Sequence, residues 1–360
     1  MKVLNISETT QGGIETFFES LSRSQSVEND FLALNYHRSI LPLQDKGFRP
    51  FNVLMLLWTV IFRIDLKQYQ VIFLHSTFSG LLRPFLWPFS KWHNIAIVYC
   101  SHGWAFDIHY RSKLKRSIFR TLYICVERIL APFCCQIYCI SQYEYREALK
   151  IGLKQSKVTL VWNGVQGSAL PLPIRDTDSR LTRILFVGRL DKQKGLHLFI
   201  EALDKLRALN QPIELTVIGE AVRNDCPELD VLFTKARDNI TIRRLGWVAN
   251  TQLDVHFQQA DFVVVPSLWE GFGLIVAESL RNGTPVFASD AGSLADMLNE
   301  KTGWIFNLDS VSSLSQSIDH VLTEKAYLDI SQQACVEHFE HNFHEDVMNQ
   351  RYFQSFLTLN

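Results

Sequence analysis

Residues 266–285 read PSLWEGFGLIVAESLRNGTP. An apolar run, Phe262 to Val265, leads into this stretch, and a helical pattern follows from Leu274 to Leu280. The order is therefore strand, glycine-bearing turn, helix. Glu270 sits in the turn, and Glu278 lies about two turns further along. The backbone N–H groups of Gly271, Phe272, Gly273 and Leu274 have no intrahelical partner. Together with the positive end of the helix dipole they suit an anion such as a phosphate. Two carboxylates beside a phosphate cradle suit a ligand with both hydroxyls and a phosphate, as a nucleotide sugar has. The competing reading is an ordinary strand-to-helix turn with two solvated glutamates.

Working outward, 360 residues are long for one hydrophobic core, so two domains are expected. Hydrophobic residues make up 47% and charged residues 20%, which excludes disorder. Net charge is −1 but unevenly spread. Residues 1–165 carry 19 Lys and Arg against 11 Asp and Glu, and the remainder carries 17 against 26. The basic first half points to an anionic partner. The seven cysteines show no metal spacing and no disulfide framework, as in a reduced cytosolic protein. The N-terminus reads as a strand and not a signal peptide. The longest apolar run, Phe51 to Phe62, is too short to span a bilayer and reads as a buried or interfacial helix.

In the first half, Lys2–Ile6 is a strand, followed by Gly12-Gly13 and a helix from Ile14 to Leu21. Further strands are expected at Phe31–Tyr36, Val71–Leu74, Ile95–Cys100, Gln136–Ile140 and Val158–Val161. His75 and His102 fall just past strand ends, the edge where open α/β sheets collect ligands. Residues 110–130 form a basic helix, and 78–92 are rich in Phe, Leu and Trp. Such a surface suits anionic lipid headgroups, or else is a solvated helix face with an apolar underside. Residues 166–180 read as a linker.

The alternation then restarts, with strands at Arg183–Val187, Glu214–Ile218, Thr241–Leu245, Phe262–Val265, Val286–Phe287 and Trp304–Phe306. Helices are expected at Leu196–Leu209 and Val347–Leu357. Two such runs imply two doubly wound parallel domains. The loop after Val187 carries Arg189 and Lys194, cations suited to a departing diphosphate. At a helix start they would be unfavourable unless an anion is present. Asp176-Thr177-Asp178 could hold a divalent ion, but in a linker it reads as turn chemistry. No nucleic-acid module is evident, and no phosphate-loop Lys-Ser/Thr motif.

On FVGRLDKQKG (186–195), LGWV (245–248) and the Glu-x7-Glu stretch, the chain resembles retaining glycosyltransferases of the GT-B fold. This is the large family that includes bacterial mannosyl- and glucosyltransferases and sucrose synthase. The first half matches more loosely, at Gly12-Gly13, His75, Ser101-His102-Gly103 and Trp162-Asn163-Gly164-Val165. The resemblance implies two Rossmann-like domains facing a cleft: 1–165 on the acceptor side, linker 166–180, nucleotide-sugar domain 181–343, and a helix at 344–360 crossing back. It implies diphosphate binding by Arg189 and Lys194, and sugar hydroxyls held by Glu270. Amides of Gly271, Phe272, Gly273 and Leu274 would line the sugar and phosphate, and Glu278 would bind the ribose. Gly246, Trp247 and Val248 would border the base, Gly13 would approach the diphosphate with Gly12 beside it, and His102 would contact the donor sugar.

The activity implied is metal- and cofactor-independent hexosyl transfer from a UDP- or GDP-sugar, retaining configuration. The implied acceptor is a lipid-linked oligosaccharide of O-antigen, capsule or exopolysaccharide, at the inner face of the cytoplasmic membrane. The alternatives are a nucleotide-sugar epimerase or sugar phosphorylase on a similar scaffold, and a non-catalytic nucleotide-sugar binder. The chain departs from the family at Ala291-Gly292-Ser293-Leu294-Ala295 and at Glu220-Ala221, so base selectivity does not carry over.

Overall fold

Every strand among the described residues pairs in parallel, and the strands form two sheets of six. The computed structural model describes residues 1–10, 13–107, 113–175, 179–206, 211–222, 226–235 and 238–359. Chain contacts separate two units, Met1–Gln166 with His344–Asn360, and Gly167–Phe343.

The first unit begins β1 (Lys2–Ser7), α1 (Gly13–Ser22), β2 (Glu28–Ala33), α2 (Arg49–Arg63), β3 (Val71–His75) and α3 (Arg83–His93). It continues β4 (Ala96–Cys100), α4 (Lys113–Leu130), β5 (Gln136–Cys139), α5 (Gln142–Lys150) and β6 (Val158–Leu160). The second unit runs β7 (Thr182–Val187), α6 (Leu196–Asp204), β8 (Ile213–Ile218), α7 (Glu228–Thr234), β9 (Ile240–Gly246) and α8 (Asn250–Gln259). Then come β10 (Phe262–Val265), α9 (Leu274–Arg281), β11 (Val286–Ser289), α10 (Leu294–Met297), β12 (Gly303–Phe306), α11 (Val311–Thr323) and α12 (Gln332–Asn342). Finally α13 (Glu345–Leu357) belongs to the first unit.

Central strands such as β3, β4 and β10 are buried throughout, and they read as unbroken apolar runs for that reason. The first sheet is ordered β2-β1-β3-β4-β5-β6 and the second β12-β11-β10-β7-β8-β9. Each order reverses direction once, between β1 and β3 in the first sheet and between β7 and β10 in the second. At such a switch point the loops leaving the two neighbouring strands diverge and open a crevice at the carboxyl ends.

Two elements differ from the sequence expectation. The second strand is Glu28–Ala33, displaced towards the N-terminus from Phe31–Tyr36. It is an edge strand, so its polar start is tolerated, and Lys2 pairs with both Glu28 and Asp30. Asn35, with φ of 55°, breaks the extended run beyond it. The helix expected over Leu196–Leu209 is α6, ending at Asp204, while residues 207–210 lie outside the described residues.

Helix α2 is amphipathic in an unusual sense. Asn52, Val53, Leu56, Thr59 and Val60 are buried, whereas Phe51, Leu54, Trp58 and Phe62 are exposed. Helix α3 exposes Phe85, Phe89 and Trp92, and α4 exposes Ile118, Leu122 and Ile129. A buried ion pair, Arg83 to Glu127 at 2.8 Å, ties α3 to α4, and Tyr99 also donates to Glu127. No helix among the described residues is long and apolar enough to cross a membrane. Cys125 is exposed, whereas Cys100, Cys134, Cys139, Cys226 and Cys335 are buried.

In the first unit α13 packs against α1. Glu345 accepts three hydrogen bonds from Arg23, and Glu345 N–H donates to Val165 O at 3.0 Å. Gly164 allows this contact, because a Cβ there would lie 2.7 Å from Glu345 Cα.

Candidate active site

The sharpest cluster lies at the switch point of the second sheet. The loop leaving β7 carries Arg189 and Lys194, and the turn leaving β10 carries Glu270. Lys194 Nζ lies 2.7 Å from Glu270 Oε2, and Ser267 Oγ donates to the same oxygen at 3.1 Å. Both side chains are mostly buried, 18% and 14% exposed, so the pair is only weakly screened by water. Arg189 reaches Asp191 at 3.2 Å and donates to Gln193 Oε1 at 3.0 Å. The anion that these cations call for at a helix start is present within the chain itself: each has a carboxylate beside it.

The two loops are stitched by backbone and side chain. Gln193 Nε2 donates to Trp269 O at 3.1 Å, and Leu268 N–H donates to Gln193 O at 2.8 Å. Gly195 sits where a Cβ would fall 1.8 Å from Pro266 O, so only glycine lets the two loops touch. Glu270 is braced from the other side as well. Gly292, with φ of 61°, packs so that a Cβ would lie 2.0 Å from Glu270 O. Ser293 Oγ donates to Phe272 O at 2.5 Å. The Ala291–Leu294 segment, divergent as sequence, thus supports the turn directly.

Helix α9 begins at Leu274, with Gly273 as its cap residue at φ of 93°. Phe272 is buried and its ring packs 6.0 Å from that of Phe343. Gly271 and Leu274 are half-buried. Glu278 lies one turn into α9. Burial pushes its carboxyl up to about 7, Arg281 pulls it down, and Asp254 pushes it up again. Arg281 is itself engaged by Asp254 at 2.6 Å. Beyond β8 and β9, Leu190, Gly219, Glu220, Phe233, Arg244 and Gly246 line a cavity of about 360 Å³. Arg244 stacks over the Phe233 ring at 4.3 Å. Next to Gly246, Trp247 is 74% exposed and Val248 half-buried.

The first unit has its own cluster at the β1/β3 switch point. His75 ends β3 fully buried, and its Nδ1 lies 2.9 Å from His102 Nε2. His75 Nε2 faces Asn5 Oδ1 at 3.0 Å. Burial, reinforced by His102, holds His75 well below the usual imidazole range, and burial lowers His102 to about 3. His102 adopts φ of 53° and Ser76 φ of 78°, conformations that cost free energy in non-glycine residues and often accompany function. Ser76 and Ser79 both donate to the buried Glu8 carboxylate. Gly13 starts α1 and is exposed. Gly12 and Asp176-Thr177-Asp178 lie outside the described residues.

The supporting residues Gln193, Ser267, Gly292, Ser293 and Asn5 were not legible as site residues. Each acts through a neighbour, so only its position reveals it.

Residues 174–337 match the family model for glycosyl transferases group 1, and residues 12–167 that for glycosyltransferase family 4. The chain belongs to the group 1 glycosyltransferases. It is 28% identical over 378 residues to an uncharacterized 41.2 kDa protein in the cps region of Klebsiella pneumoniae, covering 99% of this chain and 100% of that one. Sucrose-phosphate synthase from Thermosynechococcus elongatus has the same GT-B fold, with a TM-score of 0.75 at 18% identity, covering 100% and 99% of the two chains. So has the Anabaena protein HepE solved with UDP, with a TM-score of 0.73 at 17% identity, covering 99% and 100%.

The raised Glu278 carboxyl sets a pH dependence of stability. Its folded-state value of about 7 exceeds the ordinary 4.5, so the folded unit holds the proton more tightly than the unfolded chain. This contribution favours folding below about 4.5 and is lost as pH rises through 7. Glu278→Gln, which mimics the neutral acid, should raise the melting temperature at pH 8 and leave it nearly unchanged at pH 4. Thermal unfolding across that range reads the difference, and equal shifts at both ends would exclude the assignment.

Proposed function

We propose that this protein is a retaining, metal-independent hexosyltransferase that uses a UDP- or GDP-sugar. The observation carrying the reading is the meeting of Lys194 and Glu270 at the β7/β10 switch point, with Arg189 in the same loop and Glu278 on α9. The nucleobase would occupy the cavity beside Gly246, and Glu278 would accept hydrogen bonds from the ribose. The diphosphate would lie at Arg189, Lys194 and the amides before α9. Glu270 would hold sugar hydroxyls. The structure of HepE with UDP supports a nucleoside diphosphate as the ligand class.

In the transfer, the bond from the anomeric carbon to the diphosphate oxygen breaks. The acceptor oxygen bonds that carbon on the same face, and the departing phosphate oxygen takes the acceptor proton. Charge accumulates on the diphosphate, where the Lys194 ammonium and the Arg189 guanidinium stabilise it most in the transition state. Glu270 positions the sugar, and its contact with Lys194 holds it at the switch point for that task.

The acceptor we infer is a lipid-linked oligosaccharide in surface-polysaccharide synthesis, in line with the relative from a cps region. The exposed apolar faces of α2, α3 and α4, with Arg49 and Arg63 on α2 and Lys91 on α3, suit the headgroup layer of an anionic membrane.

Turnover tests the chemistry. Incubation with UDP- and GDP-sugars and a panel of lipid-linked acceptors should release nucleoside diphosphate only when acceptor is present, and the product should keep the donor's anomeric configuration by NMR. Glu270→Ala should lower turnover by about 100-fold or more. Near wild-type transfer by that variant, or inversion at the anomeric carbon, would refute the reading.

Membrane contact is tested separately by sedimentation with phosphatidylglycerol-containing vesicles. Binding should fall with added salt and with the double substitution Trp58→Ser and Phe62→Ser. Binding indifferent to both would exclude α2 as the contact.

A further inference from the structure

The hydrogen bonds around His75 determine where its protons sit, because the chain of contacts ends on groups that can act in one way only. Asn29 Nδ2 donates to two backbone carbonyls, Leu21 O at 2.9 Å and Val27 O at 3.3 Å. Carbonyl oxygens can only accept, so the Asn29 amide is fixed with Oδ1 towards Asn5. Asn5 Nδ2 donates to that oxygen at 3.0 Å and to Asp30 O at 3.2 Å. Asn5 is therefore fixed as well, and its Oδ1 faces His75 Nε2 at 3.0 Å. An amide oxygen cannot donate, so the His75 proton is on Nε2. In a neutral ring that leaves Nδ1 as an acceptor. The group facing it, His102 Nε2 at 2.9 Å, must then be the donor.

We propose that His75 is a positioning residue that locks His102 in the Nε2–H tautomer. His102 consequently offers a ligand an unprotonated Nδ1, which accepts a hydrogen bond from a hydroxyl and cannot act as a proton donor. The consequence for a sugar hydroxyl rests on the glycosyltransfer reading, whereas the tautomer itself is a property of the free protein.

The surroundings support neutral rings. His75 packs against Phe73 at 4.0 Å, Phe18 at 4.9 Å and Phe17 at 5.4 Å between ring centroids, and Phe17 lies 4.6 Å from His102. Asn5 is fully buried. The chain of contacts ends in an amide and not a carboxylate, so it holds no charge that would favour an imidazolium. Both rings are held below the ordinary histidine range by burial. A relay ending in a carboxylate would stabilise a protonated pair, and this one selects a tautomer instead.

Nitrogen NMR of the full chain labelled with ¹⁵N-histidine reads the tautomers directly. The two rings are assigned by the loss of their signals in His75→Phe and His102→Gln. In the unsubstituted protein at pH 7, both rings should show a protonated Nε2 and an unprotonated Nδ1. In His75→Phe, where the apolar ring fits among Phe17, Phe18 and Phe73, the His102 pattern should move towards a mixture of tautomers. Protonation of His102 at Nδ1 in the unsubstituted protein would overturn the proposal. So would an unchanged His102 pattern in His75→Phe. If that variant fails to fold, the unsubstituted spectrum alone decides. Because no substrate is present, failure here is distinct from failure of the transfer assay.

Discussion

The pairing of Lys194 with Glu270 is the contact on which the rest of the second unit depends. It joins the loop leaving β7 to the turn leaving β10, the two strands between which the sheet order reverses. Two oppositely charged groups, both mostly buried, would each be costly alone. Held together they form a site whose charge is balanced before any ligand arrives. A phosphate entering beside the ammonium does not have to displace the carboxylate, since an ammonium has three donors and this contact uses one. The glycines at 195 and 292 serve this contact by letting main chain touch main chain on both sides of it.

The first unit solves a related problem at its switch point without an ion pair: the buried carboxylate there, Glu8, is held by the hydroxyls of Ser76 and Ser79. Beside that carboxylate run two asparagines and two histidines, bonded from one to the next, with Asn5 and His75 fully buried and His75 packed among phenylalanine rings. Such a network is costly if a single member is unpaired, and it rigidifies the edge when every member is satisfied. Backbone strain at Ser76 and His102 falls at this same edge. The two sheets thus offer different chemistry at equivalent places, one built on ion pairs between cation and carboxylate and the other on hydrogen-bonded donors and acceptors.

Much of this was legible in the sequence. Strands buried on both faces announce themselves as continuous apolar runs, and the run Phe262–Val265 coincides with β10 residue for residue. The Glu-x7-Glu stretch and the loop with Arg189 and Lys194 stand out as charged residues just past predicted strand ends, and Lys194 and Glu270 do meet at one switch point. The edge strand β2 was misplaced because its first three residues are polar, and only the sheet order explains why that is permitted. The partner of each cation was also hidden. Lys194 and Glu270 are 76 residues apart, and pairing over that distance is a property of the strand order. Ala291–Leu294 looked like a departure from the family, yet Gly292 and Ser293 hold the Glu270 turn through their backbone and hydroxyl, which side-chain identity alone does not reveal.

The central claim, that the Arg189 and Lys194 loop receives a nucleoside diphosphate, is tested most directly by calorimetric titration. UDP and GDP would be titrated into the protein and into Lys194→Met, with uridine and guanosine as controls lacking the phosphates. The account predicts that one diphosphate binds far more tightly than its nucleoside, and that Lys194→Met weakens the diphosphate by roughly 10-fold or more while leaving the nucleoside unchanged. Equal affinity for nucleoside and diphosphate, or a diphosphate affinity unaffected by Lys194→Met, would contradict it.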